Sequence, residues 1–358
     1  MNEQRLNRVL QRLESMGLEQ MLICDPMSIK YLCGYYVEPM ERFLGLTIST
    51  NAEPTLFVNQ LFPAPEQTTA QTVILSDNDS PIPALADAIN AHKALGVDKG
   101  LEARWLVPLI EAQAAQAFRL SSDAVDGVRR IKDKDEQELM RAASRTNDKA
   151  MAWLKEQTHV SAVEREIAAA LEGHYRELGA EGNSFTPIVS FGATAADPHH
   201  EPDGTVAQTG DVILFDVGCI QDGYCSDMTR TFFLGEPSER DRKVYDIVRR
   251  AHAAGESAVK PGVALSEIDR AARSVIEEAG YGQYFTHRLG HQIGTSVHEV
   301  GDVSEVNIEM FAESGMCFSI EPGIYLPGEM GVRIEDLVLV TEDGCEVLNE
   351  FPTELQVL

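Results

Sequence analysis

The chain has 358 residues, length enough for about two domains, and its 44% hydrophobic and 24% charged content is that of a globular protein with a large core. Its formal charge of −27 excludes nucleic acid and anionic membranes as main partners, since both need a basic face. Most of that charge reads as an acid-rich, soluble surface.

The N-terminal stretch MNEQRLNRVLQRLESMG predicts an amphipathic helix with Leu6, Val9, Leu10, Leu13 and Met16 on one face. It has no apolar signal-peptide core, and no run nears the roughly 18 apolar residues of a membrane span. QMLICD, RFLGLTIST, PTLFVNQLF and TVILSD read as strands, and 81–93 and 102–117 as helices, so residues 1–125 are expected to form an α/β domain. Six cysteines without C-x-x-C spacing lie mostly in apolar runs and read as buried hydrophobes in a reducing compartment. The expectation is a cytoplasmic protein. At SSDAVDGVRRIKDKDEQELMR the pattern turns to a dense charged helix, which opens a second domain, 126–358.

That domain carries a rough repeat. Helices at about 133–157 and 161–179 precede a strand pair at 211–234, and helices at about 238–258 and 265–279 precede another at 316–341. Two helix–helix–hairpin halves predict a pseudo-symmetric α+β domain with its active site between them.

The strand pair DVILFDVGCIQDGYCSDMTRTFFL turns at Asp222-Gly223, which suits a two-residue type I′ hairpin. This register sets 216 opposite 229 and 218 opposite 227, so Asp216 and Asp227 are diagonal neighbours on one face. Two acids on one covered face repel each other and are costly to desolvate unless a cation joins them. In CFSIEPGIYLPGEMGVRIEDLVLVTEDG a loop centred on Gly328 sets Glu321 opposite Glu335. A salt bridge from Arg333 to Glu335 is the plain alternative, and it leaves Glu321 unpaired. Between these pairs runs HRLGHQIGTSVHE, with three histidines, His287, His291 and His298. Four carboxylates and one histidine favour hard divalent ions, Mn2+ first and Co2+ or Zn2+ as alternatives. So many anionic ligands suit two ions better than one. His298-Glu299 opens no H-E-x-x-H motif.

With these residues in view, the chain resembles the creatinase/prolidase/methionine-aminopeptidase family, the "pita-bread" metallopeptidases. FDVGCIQDGYCSDMTRTF, HRLGHQIGTSVHE, SIEPGIY and GVRIED stand in the family's order, DPHHEP at 197–202 matches its Pro-His element, and IKYLCGYY resembles the prolidase N-terminal domain. The closest likeness is to bacterial Xaa-Pro dipeptidases. The resemblance implies a curved antiparallel sheet, a homodimer, and two divalent ions. Asp216 and Asp227 would bind one ion, Asp227 and Glu335 would bridge, and His291 and Glu321 would complete the second. It also implies that a metal-bridging hydroxide attacks a small peptide substrate. Glu321 is then the general base, and His199 and His298 hold the substrate and its tetrahedral oxyanion. Arg288 and Arg333 are the candidates for the substrate carboxylate, because a guanidinium fork matches it. Arg333 could instead brace Glu335. His200 and His287 read as packed imidazoles. The acidic loop 35–42, with Glu38 and Glu41, reads first as an exposed turn, and the resemblance adds a pairing with Arg288 of a partner subunit as the alternative. Gln292 stands where the family has glycine, and it is expected to bring an amide near the metal pocket.

Three alternatives share the fold. Aminopeptidase P takes longer peptides, methionine aminopeptidases lack the N-terminal domain, and creatinase uses no metal. A catalytically weak peptide-binding relative would be marked by lost ligands, and all five are present.

Overall fold

The computed structural model describes every residue of the chain except 64, 66 and 67. The chain divides into two compact units, Met1–Arg129 and Arg130–Leu358.

In the first unit the amphipathic N-terminal segment forms helix α1 (Glu3–Ser15), capped by the Asn2 side chain, with Val9 and Leu13 fully buried. A mixed six-stranded sheet comprises β1 (Gln20–Ile23), β2 (Gly45–Ser49), β3 (Thr55–Asn59), β4 (Gln71–Leu75), β5 (Ala94–Val97) and β6 (Ala117–Leu120), in the order β4-β3-β2-β1-β5-β6. The four expected strands are present; β5 and β6 were not expected. The helix expected over 102–117 stops early, at Ala103–Glu111. Pro108 lies inside it and Gln113 takes a positive φ of 52°, which together turn the chain before it can continue helically into β6. Glu41, in the acidic loop, pairs with its neighbour Arg42 at 2.7 Å.

The second unit repeats one plan twice. Helices α2 (Lys134–Gln157) and α3 (Glu164–Glu177) precede β7 (Ile188–Phe191), β8 (Val212–Val217) and β9 (Met228–Phe233), which pair as the antiparallel sheet β9-β8-β7. Helices α4 (Glu239–Ala258) and α5 (Leu265–Glu278) precede β10 (Gly290–Gln292), β11 (Glu299–Val303), β12 (Cys317–Ile320), β13 (Gly323–Leu326), β14 (Met330–Arg333) and β15 (Asp336–Val340). In this half β11-β10-β12-β15 run antiparallel, and β13 and β14 form a two-stranded arm. Acidic capping boxes start α2 (Asp133, Glu136) and α4 (Ser238, Asp241), where the charged helical segments were expected to begin.

The paired strands β8 and β9 of the first half are buried along their whole length. Leu214 packs with α4 and α5 residues such as Val248 and Ile268, whereas Ile213 and Phe215 pack with Met151, Leu154 and Leu171 of α2 and α3. Burial on both faces explains why VILFDV and MTRTFF read as unbroken apolar runs. It also places Asp216, on the Leu214 face, in the interior. No helix among the described residues is long and apolar enough to cross a membrane.

Candidate metal centre

The first pair of acids is placed by a hairpin. Asp222 and Gly223 take φ of 50° and 79°, the left-handed values a type I′ turn requires. The register beyond the turn sets Thr229 opposite Asp216, as the turn predicted. Asp227, two residues before Thr229, therefore shares the Asp216 face.

The second pair is placed where a sheet splits. Ile320 faces Asp336 in one sheet and Gly323 faces Arg333 in the arm, so one register runs through both and sets Glu321 across from Glu335. Neither residue continues the ladder. The Glu335 N–H donates to Thr229 O at 3.1 Å and the Glu321 N–H to Leu289 O at 2.8 Å, tying both acids to neighbouring strands. His291 sits mid-strand in β10, its N–H on Ser319 Oγ at 3.0 Å, while that hydroxyl donates to Glu321 Oε1 at 3.1 Å. Gly290 permits this approach: a Cβ there would lie 1.8 Å from Ser319 O.

These elements converge. One donor atom each from Asp227, His291 and Glu335 fall within 4.8 Å of one another. His291 Nε2 lies 3.6 Å from Asp227 Oδ2 and 3.6 Å from Glu321 Oε1. Asp227 Oδ1 and Asp216 Oδ1 are buried without a hydrogen-bond partner. Burial, followed by repulsion from Glu335, Asp216 and Glu321, pushes the Asp227 carboxyl well above its ordinary range. Burial and the facing Glu321 and Asp216 do the same to Glu335. Glu321 is pushed up to about 7, mainly by burial. Burial, then His298, holds His291 down at about 3, so its ring is neutral and offers a lone pair. Neutral imidazole, orphaned carboxylate oxygens and acids that repel one another fit divalent cations and little else.

Arg333 is only 2% exposed, and its nitrogens are committed inside the protein. Nη2 donates to Asp216 Oδ2 at 2.6 Å, Nε to Thr229 Oγ1 at 3.0 Å and Nη1 to the Tyr325 hydroxyl at 2.7 Å. The expected partner, Glu335, is instead bonded by the Thr229 hydroxyl at 2.7 Å, so Arg333 meets it only through that threonine. A guanidinium spent in this way braces the acids and has no fork left for a substrate carboxylate. Thr229 and Tyr325 were missed in the sequence. Thr229 could have been found, since the hairpin register puts it opposite Asp216.

All nine expected site residues line one cavity of about 790 Å3. The acids, His291 and Arg333 share it with His199, His298 and Arg288. The His298 ring stands edge-on to His291 with centroids 4.1 Å apart, and burial, then Arg288, lowers its pKa. Arg288 Nε has no hydrogen-bond partner, and its nearest carboxylate, Asp302, is 3.4 Å away. Phe185, Pro187, Ile188 and Val297 add an apolar wall that no sequence motif announced. His287, read as a packed imidazole, also borders the cavity, with Nε2 2.8 Å from the Tyr325 hydroxyl. His200 borders it too but is tied to the buried Glu164 at 2.7 Å.

Gln292 is a correction. It is fully buried and does not line the cavity; its amide lies 3.7 Å from Met316 Sδ, against Gly301 on the opposite side of β10. Successive strand residues point to opposite faces, so a side chain next to His291 is turned away from the acids.

A two-fold repeated α+β unit with a buried cavity of carboxylates and imidazoles has the make-up of a metallopeptidase. The model of metallopeptidase family M24 matches residues 138–342, and that of the creatinase/prolidase N-terminal domain matches residues 5–131. The chain belongs to family M24. An uncharacterized peptidase of Staphylococcus aureus is 36% identical over 97% of this chain and 99% of its own. Among solved structures, a prolidase from Thermococcus sibiricus aligns with a TM-score of 0.94 at 32% identity, covering 100% of this chain and 99% of that one. A dipeptidase from Pyrococcus horikoshii aligns at 0.92 and 34%, covering 99% and 100%.

Proposed function

We propose that the protein is a prolidase-type dipeptidase that hydrolyses Xaa-Pro dipeptides with two divalent metal ions. The observation that carries this reading is the cavity in which three buried carboxylates, the part-buried Glu321 and His291 converge, in a chain alike over its full length to a prolidase and a dipeptidase.

Asp216, Asp227, His291, Glu321 and Glu335 are the residues that would hold the ions, with Mn2+ as the first candidate. Bound divalent ions supply a water acidic enough to ionise near neutral pH and a Lewis acid for the scissile carbonyl. Glu321, whose carboxylate would stand beside the ions and the scissile bond, is the group that would take up the proton of the attacking water and return it to the prolyl nitrogen as the bond breaks. That nitrogen carries no N–H in the substrate, so the site cannot grip the bond by that donor and must hold both ends of the peptide. Arg288, free at Nε, takes the substrate carboxylate. His298, whose pKa is lowered by burial and then by Arg288, favours the neutral ring and, with His199, would direct a ring N–H at the oxygen where charge develops. A homodimer, implied by the resemblance, completes the proposal and is read by light scattering on the eluting protein.

The deciding experiment assays Mn2+-reconstituted protein on Xaa-Pro dipeptides against Xaa-Pro-Yaa tripeptides. Cleavage confined to dipeptides is expected. Turnover of tripeptides reassigns the site to an aminopeptidase P activity, and turnover of neither leaves a peptide-binding relative.

A further inference from the structure

Away from the acids that face the cavity, two more histidine–carboxylate clusters stand among the described residues, and their spacings differ. His200 Nε2 lies 2.7 Å from Glu164 Oε2, and the other Glu164 oxygen accepts from the Phe191 N–H and the Thr194 hydroxyl. That cluster is complete as a hydrogen-bonded anchor.

The second is built differently. His252 and Glu256, four residues apart on one face of α4, meet Asp336 at the start of β15. His252 Nε2 stands 3.3 Å from Asp336 Oδ2 and 3.6 Å from Glu256 Oε1. Neither Nε2 nor Glu256 Oε1 makes a hydrogen bond, although both are buried. Charge-assisted N···O hydrogen bonds run to about 2.7–2.9 Å, so these contacts are too long or too poorly aligned to share a proton well. Donors placed tetrahedrally around one zinc ion, each about 2.0–2.2 Å from it, stand about 3.4 Å from one another. The same spacing recurs at the candidate catalytic centre, where His291 Nε2 is 3.6 Å from each of two carboxylates. Asp336 is also divided by task. Its Oδ1 accepts from Arg230 Nη2 at 2.6 Å, which leaves Oδ2 to face His252. None of the three side chains lines the catalytic cavity. The side chains of His252 and Asp336 are 3% exposed while that of Glu256 is 21% exposed, so an ion and a completing water have a way in past Glu256.

We propose that His252, Glu256 and Asp336 form a separate structural site for a zinc-like divalent ion, which pins α4 to the strand that begins immediately after Glu335. The imidazole, two carboxylates and a water make four ligands of the kinds zinc takes. The site bridges residues 80 and 84 positions apart, from the end of a helix to the edge of the catalytic hairpin. Its role is to hold that seam, and the peptidase chemistry does not pass through it.

The test compares the chelator-stripped, zinc-reloaded wild-type chain with His252→Gln and Glu256→Gln by inductively coupled plasma mass spectrometry. Each variant is expected to carry one zinc equivalent fewer per chain, to lose part of the zinc-dependent rise in Tm, and to keep its peptidase activity. In parallel, wild-type crystals grown with zinc are expected to show an anomalous peak between the three side chains, which reads the site even where a variant misfolds. Equal zinc content in wild type and folded variants, or a featureless anomalous map at the three side chains, overturns the assignment.

Discussion

Glu335 and Asp336 are consecutive, almost wholly buried acids, yet they are driven in opposite directions. Glu335 faces Glu321 and Asp216, and burial with their repulsion holds its carboxyl well above the usual range. Asp336 points to the other side. Burial would raise it as well, but Arg230 and then His252 outweigh burial and hold it below its ordinary value. Depth in the protein therefore does not decide the charge of an acid; the partner does. Glu335 is bonded by a threonine hydroxyl, whereas Asp336 already holds an arginine on Oδ1 and has only its Oδ2 left for an ion.

This contrast is open to direct attack. The largest effect is expected from Glu335→Gln, which should lower kcat/KM on the order of 1,000-fold or more. It should nonetheless leave the metal-free chain at least as stable, because it removes an unwelcome buried charge; a metal-free variant that melts earlier than wild type would contradict the account. Arg230→Met should do the reverse. By stranding Asp336 it should cost about 3–5 kcal/mol in denaturant unfolding, whereas an unchanged midpoint would mean Asp336 is held by other groups.

The pH dependence separates the two sides by sign. Glu321 rises from an ordinary 4.5 to about 7, so the metal-free fold prefers it protonated. That preference is harmless below pH 4.5, and stability falls as pH climbs from 4.5 through about 7, by on the order of 3 kcal/mol if this group dominates. Asp336, being depressed, contributes stability at neutral pH that is lost only in more acid solution. Saturating Mn2+ should flatten the neutral limb, and melting curves at pH 5 and pH 7.5, with and without metal, read it. Thr229→Val cuts the hydroxyl shared by Arg333 and Glu335 and should weaken metal affinity or turnover about 10–100-fold. Smallest, Arg288→Ala should raise KM for Xaa-Pro dipeptides about tenfold, roughly one charge-assisted contact, with kcat little changed; an unaltered KM removes Arg288 from the substrate pocket.

How far the site could be read in advance depended on how local its geometry is. Asp216 and Asp227 were brought together by a two-residue turn whose Asp-Gly sequence dictates its own backbone, so their register followed from the residues between them. Glu321 and Glu335 were legible for the same reason, although the splitting of the sheet at that point was not. Arg333 does brace an acid, but its partner is Asp216 and not Glu335, because Asp216 comes from the other half of the repeat and strand spacing says nothing of that crossing. Gln292 was misplaced by its neighbours: the glycines around it hid a short strand whose alternation turns it away from the cavity. The strands over 94–97 and 117–120 are four residues each and lie near glycine or alanine-rich stretches that carry no clear period. The His252 cluster joins α4 to β15, and only tertiary packing reveals it.

The Asp222-Gly223 turn also bears on how the gene can change. It lies several residues from the acids it aligns, at a point where loops usually accept insertions without harm. Here one added residue would slip the pairing of the two strands by a position and carry Asp227 to the opposite face of the sheet from Asp216. The length of this turn is a ruler for the ligand set, so a single-codon insertion there should be as damaging as replacing a ligand outright.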